Sequence, residues 1–227
     1  MKTAARPNSR PLILALALLS LLTGALAMAT EEPQYAVVAS NDNYEVRRYE
    51  PYIVAEVDIV AESERQAGNR AFRILAGYIF GDNRSRQRME MTAPVETSAA
   101  DASEKMAMTA PVETTAGANG YVYAFIMERK YTLDTLPEPL DPRIRIREKP
   151  ARYVAALRFS GTADARRYQK HREKLEAALD RDGMRRRGDV VLARYDAPYK
   201  PPFLRRNEVL IDVDWRPTAE RSTRGSP

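Results

Sequence analysis

Few side chains in this sequence could carry out covalent or metal chemistry. There is no cysteine, and His171 is the single histidine. A thiolate nucleophile, a thiolate metal site and a Cys-His pair are therefore excluded. The sequence also lacks a histidine beside a serine or aspartate motif, a glycine-rich phosphate loop and a carboxylate cluster at metal-ligand spacing. This inventory predicts a binding protein and not an enzyme, with no metal site.

Methionine is the most distinctive side chain, because a methionine-containing phrase occurs twice. RMEMTAPVET at 88–97 returns as KMAMTAPVET at 105–114. In both copies apolar residues recur at every second position, which predicts a strand with one methionine-rich face. Polarizable methionines could form the rim of a site for a flat apolar ligand, although methionine at strand spacing more often fills a core.

Proline restricts where these two predicted strands can lie. Pro94 and Pro111 have no N–H to donate, so each copy is expected at a sheet edge or beside a bulge. The second copy has the pattern of an insertion that pairs with the first as a hairpin, with Met89 and Met106 facing the same side of one sheet. The opposite face of this hairpin is then expected in water, and it carries Glu90, Glu96 and Glu113.

The first residues have the pattern of an export signal. Lys2, Arg6 and Arg10 precede an uncharged run from Leu12 to Ala29 that ends in small residues. This pattern predicts a signal peptide over 1–29 and a periplasmic or otherwise exported mature chain. An uncleaved membrane anchor is the alternative, because the run is just long enough to span a bilayer. Without the three cations the net charge falls from +5 to +2, so a nucleic-acid partner is not expected.

The rest of the chain repeats its pattern at an offset of one hundred residues. Apolar residues alternate at 53–59 and again at 153–159, which predicts two half-buried strands. A helical stripe follows each strand, from about Glu64 to Phe80 and from Ala163 to Asp182, and a glycine lies near each helix end. Further strands are predicted over Tyr121–Tyr131, Val190–Tyr195 and Val209–Val213.

The composition limits how these two halves can fold. A chain of 227 residues with 44% hydrophobic content buries one sizeable core but hardly two independent ones. We therefore predict an α+β fold in which both halves share one curved antiparallel sheet or barrel, related by a pseudo-two-fold, with two external helices. The domain is expected to cover 35–215 as a monomer, and 216–227 is expected to be disordered.

Several phrases resemble the SOUL heme-binding protein family over Tyr35 to Val213. They are YEVRRYEPYIVAEV, AFRILAGYIFGDN, MEMTAPV, KMAMTAPV, ARYVAALRFSG and YDAPYKPPFLRRNEVLI. The Met-Thr-Ala-Pro-Val phrase and the terminal RRNEV are the most specific of these. The resemblance implies a distorted antiparallel β-barrel of two ββαβ-like halves with a helix against each. It also implies a non-covalently bound heme or other tetrapyrrole in an apolar groove near the first helix and a neighbouring loop.

The resemblance gives candidate residues for this groove. The first helix would contribute apolar side chains and a cation, the methionine phrase would contribute its apolar face, and the loop before RRNEV would contribute aromatic rings. Each of these side chains could equally belong to an ordinary core. The candidates are Phe72, Arg73, Leu75, Ala76, Tyr78, Met89, Met91, Tyr199 and Phe203.

The resemblance does not predict a strong axial ligand. The first-strand histidine of some members corresponds to Arg48, which cannot ligate iron. His171 lies on the flank of the second helix, where a lone histidine is more often a packing or surface residue. Positions that could pair with propionates in animal members correspond to Asn69 and Gly77, although three arginines lie on the same helix, Arg65, Arg70 and Arg73.

Two binding functions remain open from the sequence. The first is a heme or porphyrin module held mainly by apolar contact. The second is a module for unrelated apolar small molecules, as in the similar effector-binding domains of bacterial regulators. A weak enzyme acting on a tetrapyrrole is a third alternative, and the sequence offers no catalytic base for it. A membrane partner is expected only through the leader, if that segment is retained.

Overall fold

The structure, a computed structural model, describes residues 31–99 and 119–216. The helices are α1 (Glu64–Phe80) and α2 (Ala165–Arg181), and a short 3-10 turn covers Pro202–Leu204. The strands are β1 (Tyr35–Ser40), β2 (Glu45–Tyr49), β3 (Tyr52–Ala61), β4 (Val95–Ala99), β5 (Asn119–Ile126), β6 (Arg145–Lys149), β7 (Arg152–Ser160), β8 (Arg186–Arg194) and β9 (Arg206–Val213). The predicted signal peptide, the second methionine phrase with its hairpin, and nearly all of the predicted disordered tail lie outside the described residues.

All nine described strands form one antiparallel sheet in the order β1-β2-β7-β9-β8-β4-β5-β3-β6. The predicted α+β class and the two helices are confirmed. The prediction of a barrel is wrong, because the sheet is not closed. Among the described strands β1 pairs only with β2 and β6 only with β3, so both keep one open edge.

The internal repeat is visible in the strand order. From β2 to β6, the strands of the first half occur in the same order from one end of the sheet as their counterparts in the second half do from the other end. The counterparts are β2 and β6, β3 and β7, β4 and β8, and β5 and β9. The register obeys the same correspondence, since Arg47 lies opposite Val154 and Arg147 lies opposite Val54. The described strands therefore have the pseudo-two-fold topology that the offset of one hundred residues predicts.

Each helix packs on the strands of its own half. The Ser63 side chain caps α1 by accepting from the Gln66 N–H at 3.3 Å, and the Asp164 side chain caps α2 by accepting from the Arg167 N–H at 2.9 Å. The helix α1 packs on β3 and β5, and α2 packs on β7, β8 and β9. Leu75 and Leu175 are fully buried at the centres of the two resulting clusters. Among the described residues no helix is long and apolar enough to cross a membrane.

The first methionine phrase differs from its prediction. Residues 88–94 are not a strand, and β4 begins only at Val95. Nor is β4 at an edge, because it pairs with β5 on one side and β8 on the other. The physical reason is that Thr92 and Pro94 interrupt the ladder. The Thr92 hydroxyl donates to the Ile126 carbonyl, so a side chain makes this contact to β5 in place of a backbone N–H. The backbone pairing of β4 starts only at Val95, directly after Pro94.

Candidate functional site

A cleft of about 410 Å³ lies between α1 and the loop at 139–144. Cationic and apolar side chains of the helix form one wall, and the loop forms the other. We call this the α1 cleft, and its lining residues are Arg70, Arg73, Ile74, Tyr78, Asp82, Asp141, Arg143 and Ile144.

The loop is fixed to the C-terminal end of α1 by hydrogen bonds. The Tyr78 hydroxyl donates to the Pro137 carbonyl at 2.7 Å, and the Leu140 N–H donates to the Asp82 carbonyl at 3.4 Å. Gly77 leaves room for this junction, because a Cβ there would lie 2.6 Å from Asp82 Oδ2. Both walls of the α1 cleft are therefore held in place by the fold before any ligand arrives.

The α1 cleft carries one net positive charge, from Arg70, Arg73 and Arg143 against Asp82 and Asp141. Arg70 and Arg73 donate only to carbonyls, of Val60 at 3.5 Å and of Asn69 at 3.3 Å, and neither forms an ion pair with a described carboxylate. Arg143 is already paired with Asp141 at 2.6 Å, and this hydrogen bond lowers the pKa of Asp141 below its ordinary value. Two guanidinium groups thus remain able to pair with the carboxylates of a ligand.

The nine candidate groove residues are distributed over four places. Arg73 and Tyr78 line the α1 cleft. Leu75, Ala76 and Met89 are buried in the core under α1, and Met91 is partly buried against it. Phe72 is about half exposed, and its ring centroid lies 5.7 Å from that of Phe125 in an edge-to-face arrangement. Tyr199 and Phe203 lie in the loop before β9, whose 3-10 turn contacts β7, whereas α1 packs on β3 and β5.

The RRNEV phrase is a structural network that sequence reasoning missed. Glu208 is fully buried and accepts four hydrogen bonds, two from Arg47 at 2.7 and 3.2 Å, one from Tyr195 at 2.8 Å and one from Arg206 at 3.0 Å. Asn207 donates to the Gly161 carbonyl at 2.9 Å. Glu208 also borders a polar cavity of about 310 Å³. Because its acceptor sites are filled by the protein, this carboxylate holds β2 to β9 and is not free for a ligand.

A second buried carboxylate corrects a prediction. Glu96 was expected on a solvated face, but only 3% of it is exposed. It accepts from the Tyr52 hydroxyl at 2.9 Å and pairs with Lys149, while Arg152 donates to the same hydroxyl at 2.6 Å. The reason is that side chains of β3, β6 and β7 cover the sheet face on which Glu96 lies, so this face of β4 is not in water.

The sheet face opposite the helices is filled by side chains. Tyr49, Tyr52, Val54, Val154 and Leu210 form a buried cluster there, with contributions from both halves. The rings of Tyr49 and Tyr52 lie 6.1 Å apart. This face therefore contributes packing to the fold, and the α1 cleft is formed elsewhere.

We expect the buried carboxylates of Glu96 and Glu208 to make the stability of the fold depend on pH. Burial alone would raise the pKa of Glu96 and Glu208, but pairing with Lys149 and Arg47 outweighs it and lowers both below the ordinary value of 4.5. Such groups stabilise the fold above the unfolded-state pKa and lose that contribution as pH falls through the folded-state pKa. Burial raises the pKa of Asp212, so this carboxyl group has the opposite effect and favours the folded state at lower pH.

The free energy of unfolding is therefore expected to fall below about pH 4.5, as measured by urea titration at successive pH values. Glu96→Gln removes one of the two ionised carboxylates, so its curve should fall less steeply than that of the wild type. A wild-type curve that rises on acidification, or an unchanged slope in Glu96→Gln, would contradict this assignment.

His171 is placed away from the α1 cleft, on α2. Its ring stacks on Phe159 with centroids 4.1 Å apart, and Nδ1 lies 2.7 Å from the Arg167 carbonyl. That distance fits Nδ1–H donating to the carbonyl, which orients the ring along its own helix. Among the described residues no group of three or more His, Asp or Glu could hold a metal ion.

The sequence matches the family model described as SOUL heme-binding protein over residues 30–212, nearly the whole described domain. The chain belongs to the SOUL heme-binding protein family. No curated protein matches this SOUL sequence significantly.

Solved structures share the fold of this SOUL domain at low sequence identity. The C-terminal domain of EcmrR is 10% identical with a TM-score of 0.54, over 82% of this chain and 100% of that one. A hydrolase from Listeria innocua is 10% identical with a TM-score of 0.51, over 78% of this chain and 94% of that one. EcmrR in a DNA complex is 11% identical with a TM-score of 0.53, over 92% of this chain and 66% of that one. Identities this low show a common fold and nothing about ligands.

Proposed function

We propose that this protein is an exported tetrapyrrole-binding protein that holds heme or a related porphyrin at the α1 cleft. The observation that carries the proposal is the pair Arg70 and Arg73, which lack a described carboxylate partner and lie beside apolar Ile74 and Ile144. A porphyrin with propionates offers this combination, a flat apolar face with carboxylates on one edge. Family membership supports the same ligand class.

The arginines and the apolar residues have separate roles in this proposal. Arg70 and Arg73 would pair with the propionates, while Ile74, Ile144 and the 60% exposed Leu140 would contact the macrocycle. At ~25 cal/mol per Å² of apolar surface, covering part of one macrocycle face contributes several kcal/mol before association costs. Among the described residues neither a histidine nor a methionine lines the α1 cleft, so these residues would give the iron no strong axial ligand.

The proposal is for reversible binding without turnover. The buried carboxylates Glu96 and Glu208 are held ionised by cations, which leaves them poor proton acceptors. Export rests on the apolar run from Leu12 to Ala29, and intact mass of periplasmic protein tests it directly. A mature chain that starts near Met28 or Thr30 is the expected result.

A hemin titration of variants tests the site. Arg70→Gln/Arg73→Gln is expected to weaken hemin binding roughly tenfold, because each lost partly exposed ion pair contributes about 0.5–1 kcal/mol. The matched control is Arg166→Gln/Lys170→Gln, which removes two exposed cations from α2. His171→Ala is a second control, and it should leave most of the affinity intact.

The same titration with a porphyrin dimethyl ester separates the role of the carboxylates from the apolar contact. The ester should bind the wild type and the Arg70→Gln/Arg73→Gln variant equally. A non-porphyrin dye tests the alternative of a general site for apolar small molecules. If the α2 control weakens hemin as much as the α1 variant, or if His171→Ala alone abolishes the Soret change, the α1 cleft is the wrong site.

A further inference from the structure

The loop at 196–205, between β8 and β9, exposes an unusual amount of apolar surface. Tyr199 is 90% exposed, Phe203 74% and Leu204 55%. Scattered exposed apolar residues are common on proteins, but three on one short loop form a patch. The α1 cleft does not include them.

Part of the backbone of this loop is satisfied by its own atoms. Three of its residues are prolines and have no N–H to donate. The N–H groups of Lys200, Leu204 and Arg205 donate to carbonyls within the loop, at 3.1, 2.9 and 3.0 Å. The Arg205 side chain donates to the carbonyls of Lys200, at 2.7 Å, and of Pro198. This internal pairing lowers the number of polar groups that lose hydrogen bonds to water when the loop enters the headgroup region.

The charges around the patch do not oppose a lipid surface. The single carboxylate of the loop, Asp196, is neutralised by Lys200 at 2.5 Å and also accepts from the Arg206 N–H. Arg205 uses its donors on carbonyls, so its positive charge has no described carboxylate partner. Aromatic rings beside a cation suit the interface of a bilayer with anionic headgroups.

The N-terminal side of the domain meets the base of the same loop. Arg206 pairs with Glu32 at 3.0 Å. An ion pair therefore holds the base of the loop to the N-terminal end of the described domain.

We propose that the loop at 196–205 docks into the interface of a lipid bilayer, with Tyr199, Phe203 and Leu204 entering the headgroup region. The contact is shallow, as expected for side chains on a folded loop. It does not depend on tetrapyrrole binding, because the patch and the α1 cleft share no residues.

Site-specific labelling tests this proposal in the full chain, which has no cysteine of its own. An environment-sensitive fluorophore is attached to Leu204→Cys, which leaves Tyr199 and Phe203 intact. The matched control is Val60→Cys, since Val60 is 57% exposed on β3. Each labelled chain is mixed with phosphatidylcholine/phosphatidylglycerol vesicles that contain a quencher-bearing lipid.

Quenching at position 204 is expected to exceed quenching at position 60 several-fold. Adding Tyr199→Asp/Phe203→Asp to the 204-labelled chain should remove the excess, and both changes are on exposed side chains that the fold does not need. Equal quenching at the two positions, or no vesicle binding, overturns the proposal. The proposal is also overturned if hemin alone, without vesicles, shields the label at position 204 from solvent, because the patch would then be a ligand site.

Discussion

Glu208→Ala is expected to lower the free energy of unfolding by about 3 kcal/mol, because it removes the acceptor of four hydrogen bonds and leaves the buried Arg47 guanidinium with only the partly exposed Glu45 as a counter-charge. Only 3% of Arg47 is exposed, and Glu208 has no exposed surface. Tyr195 and Arg206 lose the same acceptor. Urea unfolding followed by circular dichroism measures the loss.

An exposed ion pair gives the matched control for Glu208. Arg48 and Glu50 are 2.7 Å apart, but both side chains are nearly half exposed. Glu50→Ala is therefore expected to cost less than about 1 kcal/mol. Replacing both buried partners, as Arg47→Met/Glu208→Leu, should recover much of the stability lost in Glu208→Ala, since Arg206 keeps Glu32 and the Glu45 that loses Arg47 is partly exposed. Equal losses for Glu208→Ala and Glu50→Ala would contradict the buried network.

Leu75→Ala and Leu175→Ala are each expected to cost about 2–5 kcal/mol, and the two costs should be similar. Both leucines have no exposed surface, and each lies between its helix and its half of the sheet. They occupy equivalent places in the repeat, so the cavities left by the two substitutions should have similar surroundings. Urea unfolding of both single variants makes the comparison.

The control for the leucine pair is Leu133→Ala, because Leu133 is 53% exposed. Its cost should stay within about 0.5 kcal/mol. If Leu75→Ala were nearly neutral, Leu75 would not be a core residue and could belong to an open groove after all.

The sequence by itself determined the repeat, the helices and the inward strand residues. The apolar period of α1 predicted its limits at Glu64 and Phe80, where the structure has them. The alternation at 53–59 predicted which side chains of β3 face inward, and Ile53, Ala55, Val57 and Ile59 all lie in the core cluster that α1 covers. These features follow from the 2-residue period of a strand and the 3.6-residue period of a helix, so a local pattern reveals them.

The tertiary structure alone decided the fate of the polar residues and the shape of the site. An alternating strand pattern cannot distinguish a polar face in water from one covered by other strands, so Glu96 and Glu208 gave no sign of their burial. The α1 cleft joins Arg70 and Arg73 to Ile144, some seventy residues later, through hydrogen bonds from Tyr78 and Leu140. No local period marks such a contact, because it arises only when the connection from β5 to β6 folds back onto the end of α1.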